Sequence, residues 1–435
     1  MDKNSKIVII GAGIFGLSTA AQLASEGHRN ILVLDRHVPP VPDGSSSDIS
    51  RVIRFDYADD DYLRIAHEAY LKWQQSAKYK GIFYSAPYIL TGNTSEHGQS
   101  WIKKTTAALT QRNLPWQKID DAAEAKKKYP VLSGALAGGS NFFGYDNQQA
   151  GWADASKAVS QLRDDCIELG VSFISGRAGT VVALDTDPNK KITAVRTLAG
   201  TSVEGDHFIL TAGAWSAGLV PMYHSTLATA QAVGYVRLSE SEMQKYADLP
   251  IYANFSTGWF NFPPHEESKM LKMAVHGWGY TRTPNREEQR AMGKHADSSP
   301  PMIPPRERRN FAPVEAEQRL RQGLCEILPE LGDRPFDRVA LCWYTDTPTG
   351  DFIMDFHPDY ANLFIGGAGS GHAFKFLPVL GEYMSLALKK TLPSQLAQKW
   401  RFRKDYATQE DAFVGDGSRG GPIRRELHTQ ERAKL

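Results

Sequence analysis

Residues 6–35, KIVIIGAGIFGLSTAAQLASEGHRNILVLD, constrain the fold more than any other part of the chain. They open on the apolar, β-branched run 7–10, of the kind buried on both faces of a parallel sheet. Gly11, Gly13 and Gly16 follow as GxGxxG. The first glycine permits a tight turn, the second lets backbone approach a pyrophosphate, and the third lets helix pack on strand. A helix is expected over 15–26, with Ile14 and Phe15 at its start presenting amides to that phosphate. Residues 31–34 read as the second strand, and Asp35 at its end stands where a carboxylate accepts the ribose hydroxyls of an adenosine. Strand, glycines, helix, strand and acid in this order point to a dinucleotide. Arg36, directly after Asp35, leaves open a nicotinamide protein with a 2′-phosphate.

At 435 residues the chain exceeds one ordinary core, so two domains are expected. Lys and Arg (50) nearly cancel Asp and Glu (49), and no global field would draw nucleic acid or an anionic membrane. No apolar run approaches the roughly 20 residues that span a bilayer, and no signal peptide precedes the first strand. A soluble protein is expected. Cys166, Cys325 and Cys342 are too few and too scattered for a disulfide framework or a CxxC metal site; no metal and a reducing compartment are expected. The ending Ala433-Lys434-Leu435 varies the Ser-Lys-Leu peroxisomal address.

Loop 38–57 is rich in Pro, Gly and Ser, yet sets Arg51 and Arg54 among Val52, Ile53 and Phe55. Arginines in such company either meet an anion or pair on the surface with Asp56, Asp59, Asp60 or Asp61. A helix over 61–78 makes His67 a packed or half-exposed residue. Polar helices follow at 94–112 and 120–128, with Lys126, Lys127 and Lys128 as a solvated helix end. A helix over 154–169, with Cys166 in the core, leads to strands at 171–175, 179–184, 192–197 and 207–210. The last runs into TAGAW, where Ala212, Gly213 and Trp215 can let backbone approach a cofactor.

From 231 to 334 the pattern is antiparallel sheet, with strands at 232–238, 259–262 and 270–275 separated by Pro263-Pro264, Pro300-Pro301 and Pro304-Pro305. Alternation puts Lys272 and His276 on one strand face. The polar face of an edge or cavity strand would explain that equally. Near the C-terminus, strand 363–367 enters a glycine-rich loop with Gly369 and Gly371, and a helix is expected over 375–390, starting at Lys375. The class is α/β. The chain begins and ends on one Rossmann-type nucleotide domain, and its middle supplies an α+β domain built on an antiparallel sheet.

The opening fingerprint, SRVIR (50–54), LKMAVH (271–276), CWYTDTPTGDFIMD (342–355) and GSGHAFKF (369–376) together resemble the flavin-dependent amine oxidases of the monomeric sarcosine oxidase, pipecolate oxidase and saccharopine oxidase group. The fungal fructosyl amino acid oxidases are similar too, and the match covers almost the whole chain. It implies a glutathione-reductase-like FAD domain from 1–85, 145–228 and 335–395, a substrate domain from 86–144 and 229–334, and a tail at 396–435.

By the same resemblance, Cys342 forms a thioether to the flavin 8α-methyl, as a thiolate can with an electrophilic methide. Arg54 and Lys375 clamp the substrate carboxylate, with Tyr344 beside it. Lys272 promotes oxygen reduction at the flavin face, and His276 lines the substrate pocket. Ser46, Ser47, Arg51, Val181, Gly369, Gly371, His372 and Lys375 join the fingerprint residues on the cofactor. The sarcosine and pipecolate oxidases usually carry a histidine after the loop serines, where this chain runs into Asp48. The glycated amino acid oxidases have Asn-Asp and then a lysine, where this chain has Asp48 and then Arg51. The implied reaction takes two electrons from a C–N bond beside a carboxylate, releasing an imine and hydrogen peroxide. Saccharopine or pipecolate is the first expected substrate and a glycated amino acid the second. A flavin dehydrogenase with another acceptor and a non-catalytic flavin module are the alternatives. Peroxide chemistry favours a peroxisomal monomer brought in by an import receptor reading Ala433-Lys434-Leu435, with the cytoplasm as the alternative.

Overall fold

The computed structural model describes residues 1–92, 96–137, 142–286, 288, 298, 300, 310–404 and 415–435. The run at 7–10 is a strand, Ile7–Ile10, at the centre of a six-stranded sheet. Across that sheet the order is Ile353–Phe356, Leu363–Gly367, His207–Leu210, Ile7–Ile10, Ile31–Leu34 and Ser172–Ile174. All neighbours are parallel except the edge strand Ile353–Phe356. Helix Ile14–Ser25 covers one face and packs against helices Leu377–Leu388 and Ala155–Glu168. Contact between the first pair is so close that a Cβ at Gly381 would lie 2.3 Å from the Ser18 carbonyl oxygen. N- and C-terminal segments thus build one layer, as the sequence suggests.

A second, ten-stranded sheet is organised on Leu227–Arg237, whose residues are buried up to Val236. Met270–Val275 and Arg338–Asp346 pair antiparallel with it, and Tyr88–Gly92 and Phe143–Asn147 extend the sheet beyond Ile251–Asn254. A small antiparallel sheet of Val181–Thr186, Ile192–Thr197 and Ser202–Glu204 flanks the first. The chain therefore has the α/β architecture expected, a parallel Rossmann-like sheet and a large mixed sheet.

Several boundaries shift for identifiable reasons. Lys375 does not begin a helix. It sits in the 3-10 turn Phe374–Phe376, and the helix starts at Leu377 because Pro378 is tolerated only in a first turn. Asp59, Asp121 and Asp154 are N-caps, each accepting a hydrogen bond from a backbone amide of the first turn. Lys127 and Lys128 are exposed at the end of their helix, as expected, and Lys128 also pairs with the buried Asp146. His67 is half-buried, its ring 4.9 Å from that of Phe55, and Cys166 is in the core. Thr94, Pro301, Pro304 and Pro305 lie outside the described residues. The C-terminal segment folds back: Arg425–Glu426 pairs in parallel with Tyr280–Thr281, and Leu435 packs against the core of the large sheet. No described helix is long and apolar enough to cross a membrane.

Candidate active site

One cavity of about 710 Å³ runs between the two sheets. At one end the glycine fingerprint does what its spacing requires. Gly11 has φ +110° and a Cβ there would lie 2.5 Å from the Thr211 carbonyl oxygen. At Gly16 a Cβ would lie 1.9 Å from the Gly11 carbonyl oxygen, so this residue closes helix onto strand and stands behind the cavity wall. Asp35 accepts a hydrogen bond from the Ala12 amide at 2.8 Å, and Ser46 Oγ accepts one from the Ile14 amide at 3.1 Å. Ile14, Phe15, Val181, Ala212, Gly213 and Trp215 also face the cavity. Ser47 does not: its hydroxyl is turned to Ser156, 3.3 Å away. Arg36 pairs with Asp43 at 2.8 Å and lies 4.1 Å over the Trp215 ring, so it is already engaged where a 2′-phosphate would need it.

Further along, Cys342 on Arg338–Asp346 and Lys272 on Met270–Val275 enter the same space. Lys272 is 3% exposed, which removes the edge-strand explanation and leaves a strand face that lines a cavity. Its Nζ lies 2.8 Å from Asp48 Oδ2 and donates to the Ser50 carbonyl at 2.6 Å. Asp48 also accepts from Arg51 at 2.9 Å and from the Tyr235 hydroxyl at 2.7 Å. Two cations and one carboxylate share this nest. Burial would raise the Asp48 carboxyl, but Lys272 and Arg51 hold it far below the usual range. Burial pushes the Lys272 ammonium down to about 8, with Asp48 pulling against that and Arg51 adding to it.

Beyond lie Arg54 and Lys375, both buried. Arg54 does not pair on the surface. It donates to the backbone carbonyl of Asp56 and sits among the rings of Tyr57, Tyr88 and Trp101, at 5.1, 5.7 and 5.5 Å. The neighbouring aspartates serve elsewhere: Asp59 and Asp61 hold Lys399, and Asp60 holds Arg112. The Asp56 side chain accepts from Tyr145 and Asn147. Lys375 donates to the Tyr57 hydroxyl and to the His372 carbonyl, both at 2.8 Å. His372 Nε2 lies 2.8 Å from the Gly350 carbonyl, so it carries the proton and Nδ1 accepts from Tyr57 at 2.9 Å. Burial and then Lys375 push the His372 imidazole down to about 3. Burial and then Arg54 push Lys375 well below its ordinary value, a state that an anion at this spot would reverse.

Tyr344 and His276 face each other with ring centroids 6.0 Å apart. A Cβ at Gly371 would lie 2.3 Å from the Tyr344 ring, so the glycine loop lies directly against this aromatic. Gly369, Gly371, His372, Arg51 and Lys375 all line the cavity. Sequence reasoning missed Tyr57, Asp56 and, from the C-terminal segment, Asp416, Ser418 and Arg419. The run GDGSRGG (415–421) is a signal for the last three, since glycines flanking a serine and an arginine mark backbone that must approach closely. Outside the cavity, Asp154, His265 and Glu267 form a metal-capable group among the described residues, but Lys157 already pairs with both carboxylates.

A glycine turn and Asp35 at one end of a cavity whose far wall carries buried cations are the arrangement of a protein that binds a dinucleotide and a small anion together. The chain belongs to the DAO family of FAD dependent oxidoreductases, whose sequence model matches residues 6–386. It is similar to the L-saccharopine oxidase of Schizosaccharomyces pombe, 30% identical over 423 residues that cover 93% of this chain and 94% of that one. Peroxisomal sarcosine oxidase of Homo sapiens is 28% identical, covering 89% and 93%. Among solved structures, the fructosamine oxidase Amadoriase II of Aspergillus fumigatus superposes with a TM-score of 0.84 at 27% identity, over 99% of this chain and 96% of that one. The protein is an FAD-dependent amine or amino acid oxidase acting on CH–NH groups.

Proposed function

We propose that the protein oxidises the C–N bond of an N-substituted (secondary-amine) L-amino acid such as saccharopine or pipecolate. The observation that carries this reading is the pair Arg54 and Lys375, buried in an aromatic wall of the cavity that also contains Cys342 and Lys272. Similarity to L-saccharopine oxidase supports the choice of substrate.

Arg54 and Lys375 receive the substrate carboxylate, a guanidinium fork and a point charge converging on one anion. Tyr57 relays Lys375 to His372 and so fixes the ammonium in place. Tyr344 and His276 flank the substrate, whose amine must be unprotonated so that a lone pair is available. The bound flavin supplies the two-electron acceptor that oxygen regenerates with release of peroxide. The Lys272 cation lines the same cavity, where it would stabilise negative charge developing on oxygen, and its burial would make that charge more effective than in water. Cys342 is the attachment point for the flavin. Residues 1–85, 145–228 and 335–395 form the cofactor domain, and 86–144 with 229–334 the substrate domain.

The chain acts as a monomer and is carried to peroxisomes through Ala433-Lys434-Leu435. Ala433 and Lys434 are exposed, while Leu435 is half-buried against the core, so an import receptor must lift the last turn to read it. A glycated amino acid is the second candidate substrate, favoured by the similarity to fructosamine oxidase. Peroxide release and anaerobic flavin bleaching with saccharopine, pipecolate, N-methyl amino acids and fructosyl amino acids test the reading. If none of them bleaches the flavin, it fails. Bleaching that is reversed by an artificial acceptor but not by oxygen would make the protein a dehydrogenase.

A further inference from the structure

The C-terminal run 415–421 is held against the large sheet by backbone. The Gly415 amide donates to the Pro348 carbonyl at 2.9 Å and the Gly421 amide to the Ser256 carbonyl at 3.0 Å. A Cβ at Gly420 would lie 2.2 Å from the Phe255 carbonyl oxygen, so only glycine permits this approach. The run brings Asp416 and Ser418 into the cavity wall.

Asp416 Oδ1 accepts from the Ser418 amide at 3.0 Å and from the Ser418 hydroxyl. Since that hydroxyl has one proton, His276 Nε2, 3.0 Å from Ser418 Oγ, is the donor in its own bond to the serine. The aspartate side chain is exposed, and the space it is exposed to is the cavity. Among the described residues no cation lies within ion-pairing distance of it. Arg419 is spent on Asp346 and on the Gly277 carbonyl, and Lys375 on Tyr57 and the His372 carbonyl. His276 and His372 are kept uncharged, chiefly by burial.

The cavity therefore carries two signs. Arg54 and Lys375 suit a carboxylate, while Asp416 would repel one. A carboxylate with one coordinating serine and an open oxygen is matched by a cation that brings its own hydrogen-bond donors. The amine that is oxidised cannot be that cation, because it must keep its lone pair. We propose that Asp416 is a specificity-determining residue that receives a primary ammonium of the substrate, remote from the bond that is oxidised. The substrate class is then an N-substituted amino acid built on a diamino acid. This rests on the reading of the site given above and narrows it: saccharopine carries such an ammonium, whereas pipecolate and sarcosine have only the reacting amine.

The test uses the holoenzyme and two probes of one skeleton, saccharopine and N-(5-carboxypentyl)glutamate, which has hydrogen in place of the distal ammonium. Stopped-flow flavin reduction without oxygen gives an apparent Kd for each. The wild-type protein should bind saccharopine about tenfold more tightly or better, as for one charge-assisted contact. In Asp416→Asn that ratio should fall to near one. The wild-type comparison stands even if the variant does not fold, and the variant's flavin spectrum shows whether it has. Equal affinity of the wild type for both probes overturns the assignment, as does a preference that persists in Asp416→Asn. Equal weakening of both probes by Asp416→Asn also overturns it, because the residue would then serve the shared amine or the fold. Reduction by neither probe defeats the underlying reading of the site, a result distinct from equal reduction by both.

Discussion

Replacing Asp48 by asparagine should move the pH dependence of oxygen reduction by the whole strength of one buried ion pair. In the native protein Lys272 loses its proton near pH 8, so it is roughly nine-tenths charged at pH 7. The partner that keeps it charged is Asp48, 2.8 Å away, while Arg51 opposes it from the other side of the same carboxylate. A close pair in surroundings with an effective dielectric of about 20 is worth about 4 kcal/mol. At 1.36 kcal/mol per decade, that is about a thousandfold in proton affinity. Asp48→Asn removes this attraction and leaves the burial and Arg51 in place, so Lys272 should titrate near pH 5 and be about one-hundredth charged at pH 7. The sign follows directly: the lysine helps only while protonated, so reoxidation falls as pH rises through its pKa. Stopped-flow reoxidation of the photoreduced protein should therefore decline above about pH 8 in the wild type and already above about pH 5 in the variant, with recovery on acidification. Flavin reduction by substrate should move far less. Superimposable reoxidation profiles for the two proteins would refute the argument, since the carboxylate would then not be setting the charge at Lys272.

Four further outcomes are expected. Acid-precipitated wild-type protein should give a yellow pellet and Cys342→Ala a colourless one; a colourless wild-type pellet would rule out attachment through this thiol. Arg54→Ala or Lys375→Ala should weaken carboxylate substrates by about 2 to 3 kcal/mol. Because Lys375 is pushed below its ordinary value until an anion arrives, binding of a non-oxidisable carboxylate should take up protons and weaken as pH rises. Proton release, read with an indicator dye in weak buffer, would contradict that. Gly11→Ala sets a Cβ 2.5 Å from the Thr211 carbonyl at a φ of +110°. It should cost about 1 to 3 kcal/mol and lower the melting temperature, and an unchanged melting temperature would show that the turn has room.

Local chemistry made half of this protein legible. The glycine fingerprint, the strand Ile7–Ile10 and Asp35 are spaced by a turn and one helix, so their geometry is fixed within 30 consecutive positions and the sequence alone determined it. The strand carrying Lys272 was also readable, because alternation is a local property, whereas the strand Arg338–Asp346 that carries Cys342 was not read from the sequence. Helix starts slipped by a residue or two where an aspartate cap or Pro378 decided them. What the sequence could not determine is which charges meet. Asp48 and Lys272 are separated by more than 200 positions, and only the packing of the 45–54 loop onto the large sheet makes this lysine a buried one whose pKa is pushed down to about 8. Likewise Arg54 owes its setting to Tyr88 and Trp101 from other segments, and Asp416 reaches the cavity through glycines pressed against the distant turn at 255–257. Sequence fixes dihedral preferences and hydrophobic period, which act over a few residues. Burial and charge pairing act through space, and it is these that set the protonation of the site.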